Sequence, residues 1–303
     1  MTEKLTGLIA APFTPMTSAG DIHLEGISAI VEHLIKDGVR GAFVCGSTGE
    51  SSSLTTAERI AVNRAFVAAA RGRLAIVTHV GHTSVRESQA LAADAQTAGA
   101  IGIAALSPYY FKPADVDTLV EVCRDVASAA PKLPFYYYQI PSLTGVNLKV
   151  SEFLARGVGR IPTLAGAKFT QEDLMDYLEC LRMENGRFQV LFGRDEMLLS
   201  ALAAGAVGAV GSTYNFIAPL FLKVIAAFNA SDLDSARAGQ HQANRIIQIM
   251  IRHGGLSAGK AMMKMLGVDC GQMRLPIKNL NADQAKQLET ELRAVGFFAL
   301  RQR

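Results

Sequence analysis

Several features that would classify a chain quickly are scarce here. The 303 residues include four cysteines, Cys45, Cys123, Cys180 and Cys270. They lie far apart without the paired spacing of a metal site, and three stand among apolar neighbours, as buried thiols do. No disulfide is expected. Half of the residues are hydrophobic, yet glycine and charged residues interrupt them so often that no run approaches a membrane span. The net charge is only +3 and no dense Lys/Arg run exists, so neither nucleic acid nor membrane is expected as a partner; a slightly basic surface suits an anionic small molecule. Met1 to Ala10 carry no long apolar core behind a basic start, so no secretory signal is expected and a cytoplasmic location is. His79 and His82 are separated only by Val80 and Gly81, with no carboxylate set nearby in sequence; no metal ligation is expected of them.

What is present is a repeat of helix, glycine and short apolar strand. Gly38-Val-Arg-Gly41 precedes Ala-Phe-Val-Cys45, Gly99-Ala-Ile-Gly102 precedes Ile-Ala-Ala-Leu106, and Gly205-Ala-Val-Gly208 precedes Ala-Val-Gly211. Each first glycine can take the left-handed conformation that ends a helix. Further strands fit at Leu5–Ala11, Leu74–Thr78, Phe135–Tyr138, Leu164–Lys168 and Gln189–Phe192, with helical patterns near 24–36, 56–71, 83–98, 115–130 and 171–182. Eight strands each followed by a helix, read as continuous apolar runs, predict parallel strands buried on both faces. Residues 1–228 therefore read as a (β/α)₈ TIM barrel, with an open doubly wound sheet as the alternative. Only helical patterns follow, near 232–253, 257–266 and 282–295, and residues 229–303 read as a C-terminal helical bundle packed on the barrel.

Lys168 ends a short apolar run and is followed at once by Thr170-x-x-Asp173, a helix-start pattern. A lysine at a strand end often reaches out to water. Held instead among Leu164, Ala165, Ala167 and Phe169 and facing the next helix, it would favour the neutral amine that Schiff-base chemistry uses. Catalytic groups of such barrels lie at the carboxyl ends of the strands. There the sequence offers Gly46-Ser-Thr-Gly-Glu50, whose amides and hydroxyls suit a carboxylate, and Tyr136-Tyr-Tyr-Gln-Ile-Pro141. Alternation points Tyr136 and Tyr138 the same way, with Tyr138 nearer the catalytic end. Gly193-Arg-Asp-Glu196 and Gly211-Ser-Thr-Tyr-Asn215 supply short polar groups for hydroxyls, although Asp195 and Glu196 equally suit helix caps. Ser107 to Pro113 is an aromatic segment pinned by prolines, a composition that favours interface packing.

Gly46-Ser-Thr-Gly-Glu50, Tyr138-x-Ile-Pro141, Gly145, Lys168-x-Thr170 and Gly211-Ser212, in this order and spacing, resemble the pyruvate-dependent class I aldolases. That family includes N-acetylneuraminate lyase and dihydrodipicolinate synthase, and the resemblance runs through almost the whole chain. It implies that Lys168 forms an imine, that Tyr138 shuttles protons, and that Ser47 with Thr48 holds the carboxylate of a keto acid such as pyruvate. It also implies a homotetramer, a dimer of dimers, in which Tyr110 reaches a neighbouring subunit's site. Leu143 stands where the synthases typically place an arginine for a second carboxylate. Gly193-x-Asp195-Glu196 and Gly211 to Asn215 instead resemble the sialate lyases, which implies that Gly193, Asp195, Glu196, Gly211 and Ser212 meet a sugar and that Thr170 lies beside the reacting centre. The implied reaction is cleavage of N-acetylneuraminate (sialic acid) to N-acetylmannosamine and pyruvate, without metal or organic cofactor. An aldolase for another 2-keto-3-deoxy sugar acid, the synthase itself, and a barrel that binds keto acid or sialate unchanged are the alternatives. Gln139 departs from the asparagine or histidine frequent in lyases; following Tyr138, it is expected to point away and to affect packing.

Overall fold

Eight short, largely apolar runs form eight parallel strands in the computed structural model, which describes residues 5–301. The start of the N-terminal stretch, Met1–Lys4, and residues 302–303 lie outside the described residues. The strands are β1 Gly7–Ala10, β2 Gly41–Val44, β3 Ala75–His79, β4 Gly102–Leu106, β5 Phe135–Gln139, β6 Leu164–Phe169, β7 Gln189–Phe192 and β8 Gly208–Gly211. β8 pairs with β1, so the sheet closes into a barrel with no free edge. The open-sheet alternative is thereby excluded.

Helices α1 Ile27–Lys36, α2 Thr56–Ala70, α3 Val85–Ala98 and α4 Val116–Ser128 cover the first half of the barrel. The crossover after β5 contains a single turn, α5 Pro141–Thr144, and then α6 Val150–Gly157; α7 Leu174–Arg182, α8 Leu198–Ala204 and α9 Ala218–Asn229 complete the ring. Gly99 and Gly205 cap α3 and α8 in the left-handed conformation, as their spacing predicts. One start was misread. Thr170 does not cap α7, which begins three residues later than predicted; Asp173 caps it by accepting from the Asp176 N–H at 3.0 Å, and Thr170 is left free to serve the barrel mouth.

Strand alternation divides the core. Leu8, Ala10, Tyr137, Ala167 and Phe169 pack outward against the helices, while Ile9, Phe43, Val77, Leu106, Tyr136, Tyr138, Leu191 and Val210 fill the barrel. At the closed end Tyr136 donates to Gln189 Oε1 at 2.7 Å, and Gln189 Nε2 donates to the Leu5 carbonyl at 2.6 Å. The interior is thus plugged at that end, and chemistry is confined to the other. α10 Leu233–Arg252 lies along α9, followed by α11 Leu256–Met265 and α12 Ala282–Ala294. No helix among the described residues is long and apolar enough to cross a membrane. All four cysteines are buried and unbridged.

Candidate active site

The register that closes the barrel sets Tyr138 beside Leu106 on one side and Lys168 on the other. Lys168 is 4% exposed, so its side chain does not reach out to bulk water. Its Nζ lies 4.4 Å from the centre of the Phe43 ring and 4.1 Å from that of Tyr138. These rings cover the amine on the barrel side. Its neighbours Ala167 and Phe169 belong to the outer layer because adjacent residues of a strand point to opposite faces, and Leu164 joins them through a register irregularity between β5 and β6 at the start of the strand.

The Tyr138 hydroxyl is 3.1 Å from Ser47 Oγ, with either oxygen able to donate. Its ring is edge-on to Phe43 and to His79. His79 is buried, and its Nδ1 lies 2.8 Å from the Cys45 carbonyl, which can only accept, so that nitrogen carries the proton. Burial, reinforced by the nearby Arg59 charge, holds this imidazole well below the usual histidine range. Arg59, 1% exposed, donates to the carbonyls of His79 and Gly81 at 2.7 and 2.9 Å. A fixed, neutral histidine thus backs the tyrosine, and His79 serves packing and orientation.

Ser47 and Thr48 sit in the turn after β2. It is bracketed by Cys45 and Glu50, two non-glycine residues with left-handed φ of 57° and 58°. Thr14 Oγ1 donates to the Gly49 carbonyl at 2.7 Å and helps fix the turn.

Across the barrel mouth, Asp195 Oδ2 accepts from the Thr213 N–H and hydroxyl at 2.9 and 2.6 Å, tying the β7 turn to the β8 turn. Asp195 is therefore not the helix cap its position allowed. Its other oxygen, like Thr170 Oγ1, is buried without a hydrogen-bond partner among the described residues. Burial pushes the Asp195 carboxyl up to about 6 against the opposing pull of Thr213. Glycine is required beside both groups: a Cβ on Gly211 would fall inside the Asp195 carboxylate, and one on Gly193 would strike Thr170 Oγ1. Glu196 pairs with Arg194 at 3.3 Å and stays partly exposed.

Ser47, Thr48, Tyr138, Lys168, Thr170, Gly193, Asp195, Glu196, Gly211 and Ser212 all line one cavity of about 210 Å³. Residues 4–295 match the Dihydrodipicolinate synthetase family. The chain belongs to that family. Among its relatives, the N-acetylneuraminate lyase of Mus musculus is 43% identical over 98% of this chain and 94% of its own length. The structure of N-acetylneuraminate lyase from Aliivibrio salmonicida is 42% identical, with a TM-score of 0.95 over 97% of this chain and 98% of that one. A catalytic-lysine mutant of the sialic acid aldolase from Ruminococcus gnavus is 28% identical, with a TM-score of 0.90 over 96% of each chain.

One candidate lies elsewhere. Tyr110 is 77% exposed, its ring edge-on to the still more exposed Phe111, and it does not line the cavity of its own chain. Gln139 is fully buried and does not line the cavity either. Sequence reasoning missed Ile247, Met250 and Ile251 of α10, which form an apolar wall of the cavity in this family member, and Arg194 and Thr213 beside the acidic pair. Within α10 these three residues look like part of an ordinary amphipathic stripe, and only docking of the helix reveals what they face.

Proposed function

We propose that this chain is a Schiff-base aldolase that cleaves N-acetylneuraminate into N-acetylmannosamine and pyruvate. The observation that carries the reading is a lysine amine shut inside the barrel against the ring of Tyr138, whose hydroxyl is bonded to the Ser47 turn. Relatives named N-acetylneuraminate lyase, and the catalytic lysine ascribed to the Ruminococcus gnavus aldolase, support it.

In this scheme the carboxylate of the open-chain sugar acid rests on Ser47 and Thr48. The Lys168 amine adds to the C2 ketone and water leaves, giving an iminium. Tyr138 takes the proton of the C4 hydroxyl; the oxygen forms the aldehyde carbonyl as the C3–C4 bond breaks, and that bond's electrons pass to the iminium as an enamine. Protonation at C3 and hydrolysis then free pyruvate and Lys168, with no step that requires a metal or organic cofactor. Thr170 lies beside the reacting centre, and Gly193, Asp195, Glu196, Gly211 and Ser212 receive the sugar end. The unpartnered Asp195 oxygen and Thr170 hydroxyl suit these roles, because buried polar atoms favour a ligand that completes their hydrogen bonds. Leu143, 65% exposed, supplies no charge for a second carboxylate, which weighs against the synthase reaction.

The reading also keeps the catalytic unit at 1–228 with 229–303 as appended helices, a cytoplasmic setting, and a homotetramer in which Tyr110 enters a neighbour's site. The test is borohydride reduction during incubation with N-acetylneuraminate, followed by peptide mass spectrometry. A reduced pyruvate adduct on Lys168 is expected, since pyruvate arises only by cleavage. An adduct from added pyruvate but none from sialate would keep the aldolase and exclude this substrate; no adduct with either would exclude the Schiff base.

A further inference from the structure

Behind the Ser47–Thr48 turn lies a set of buried charges that the reaction scheme does not use. The Glu50 side chain is fully buried, and its Oε1 stands 2.9 Å from Nζ of Lys260 in α11, whose side chain is 3% exposed. Glu50 Oε2 accepts from the Arg274 N–H at 2.8 Å, and Lys260 also donates to the Gln272 carbonyl at 2.6 Å. The Arg274 guanidinium continues to Glu58 of α2 and to the Ser53 and Gly20 carbonyls. Everything that grips the Glu50 carboxylate therefore comes from the C-terminal segment, over 200 residues away in sequence.

The grip falls on a residue whose backbone is unusual. Glu50 takes a left-handed φ of 58°, Cys45 at the other end of the turn takes 57°, and the Glu50 N–H donates back to the Ser47 carbonyl at 3.1 Å. Non-glycine residues occupy that region only where surrounding contacts hold them. Stability alone does not account for the ion pair, because buried pairs gain little over apolar side chains of the same volume. Geometry does: Glu50 is three residues from Ser47 and two from Thr48, and pinning its side chain fixes where both hydroxyls stand.

We infer that the Glu50–Lys260 ion pair is a positioning device for the carboxylate-binding turn, by which the C-terminal helices set the placement of Ser47 and Thr48 relative to Lys168 without touching the substrate. The inference rests on the reading of Ser47 and Thr48 as the seat of the keto-acid carboxylate. Both residues are positioning residues, and their effect belongs to recognition of the carboxylate, not to imine chemistry in general.

The experiment compares borohydride trapping of pyruvate with that of its uncharged methyl ester on three proteins: the parent, Glu50→Gln, and Glu50→Gln/Lys260→Met. The double variant leaves no orphan charge in the core, and thermal melts establish that it is folded. The pyruvate concentration for half-maximal trapping is expected to rise about tenfold in both variants, as for loss of a well-placed bond to a charged group. Trapping of the ester is expected to change less than about twofold, so preference for the acid collapses. A folded double variant that retains the parent's pyruvate half-saturation and preference would overturn the positioning role alone. A parent chain that forms no pyruvate adduct would overturn the keto-acid reading itself, and this inference with it.

Discussion

Asp195 shows what a single residue costs the fold and why the cost is kept. Its carboxyl rises from 3.8 to about 6 because burial penalises the charge. The group is therefore harmless below the unfolded value, where both states are protonated; it weakens the fold as pH rises from about 4, where the unfolded state ionises, and the loss is complete once pH has passed through about 6 and the native state too holds an anion. The shift corresponds to about 3 kcal/mol lost between pH 4 and pH 7. Asp195→Asn should remove this loss: in urea denaturation the unfolding free energy of the variant, relative to the parent, should gain about 3 kcal/mol over that range. An unchanging difference would show that Asp195 does not titrate in this window. On the proposed reading, in which Asp195 receives the sugar, the same variant should also bind sugar poorly, which equilibrium binding of N-acetylmannosamine checks. Lys168 makes the complementary point. Its position in the sequence suited a lysine reaching out to water as well as a buried amine, and the surroundings that decide it, Phe43 and Tyr138, come from other strands.

Among the elements, the segment between α11 and α12 does more than join two helices. Through Arg274 it clamps Glu58, which also completes the capping box of α2 with Thr55. The Arg274 hydrogen bonds hold the Glu58 carboxyl down at about 2. A lowered carboxyl contributes stability that is present above the unfolded value near 4.5 and is lost as pH falls through 2. The shift is worth about 3 kcal/mol, and partial exposure of both side chains brings it to about 2 kcal/mol. Glu58→Gln should be less stable than the parent by that amount at pH 7, and the gap should close as the pH approaches 2. Chemical denaturation at a series of acid pH values checks this; a gap that persisted to pH 2 would assign the effect to packing. The α10 wall of Ile247, Met250 and Ile251 is a second contribution of the C-terminal helices to the site.

For the whole molecule, several large apolar side chains stand exposed. Tyr110, Phe111, Leu143 and Leu275 are 77, 85, 65 and 82% exposed, which is costly in water unless another surface covers them. If Tyr110 completes a neighbour's site, Lys168→Ala and Tyr110→Phe chains, each nearly inactive alone, should regain activity when mixed and reassembled. A pair of mixed chains then contains one site with both an intact lysine and an intact tyrosine. Recovery approaching a quarter of the parent rate is expected for random pairing, about half of the pairs being mixed and one site of two restored. No recovery on exchange of subunits, shown to occur by mass, would place the role of Tyr110 within its own chain.

The sequence determined the barrel, because apolar runs at regular spacing, each introduced by a glycine that ends a helix, have few other ways to bury both faces of their strands. Alternation and turn chemistry, which are local, put Lys168, Tyr138 and the Ser47–Thr48 turn at the carboxyl ends of their strands; the roles proposed for them came from the order and spacing of these motifs along the whole chain, which resemble those of a family. Tertiary structure decided whatever depends on two distant segments meeting. Closure of the barrel replaced the chain neighbours of Lys168 by aromatic rings and turned Thr170 from an expected helix cap into a cavity hydroxyl. It engaged one Asp195 oxygen with Thr213 and left the other buried without a hydrogen-bond partner among the described residues. It also brought Lys260 and Arg274 against Glu50, more than 200 residues away. Such contacts form because the closed barrel and the helices packed on it must exclude water together, and no local pattern of residues encodes which buried groups will then face one another.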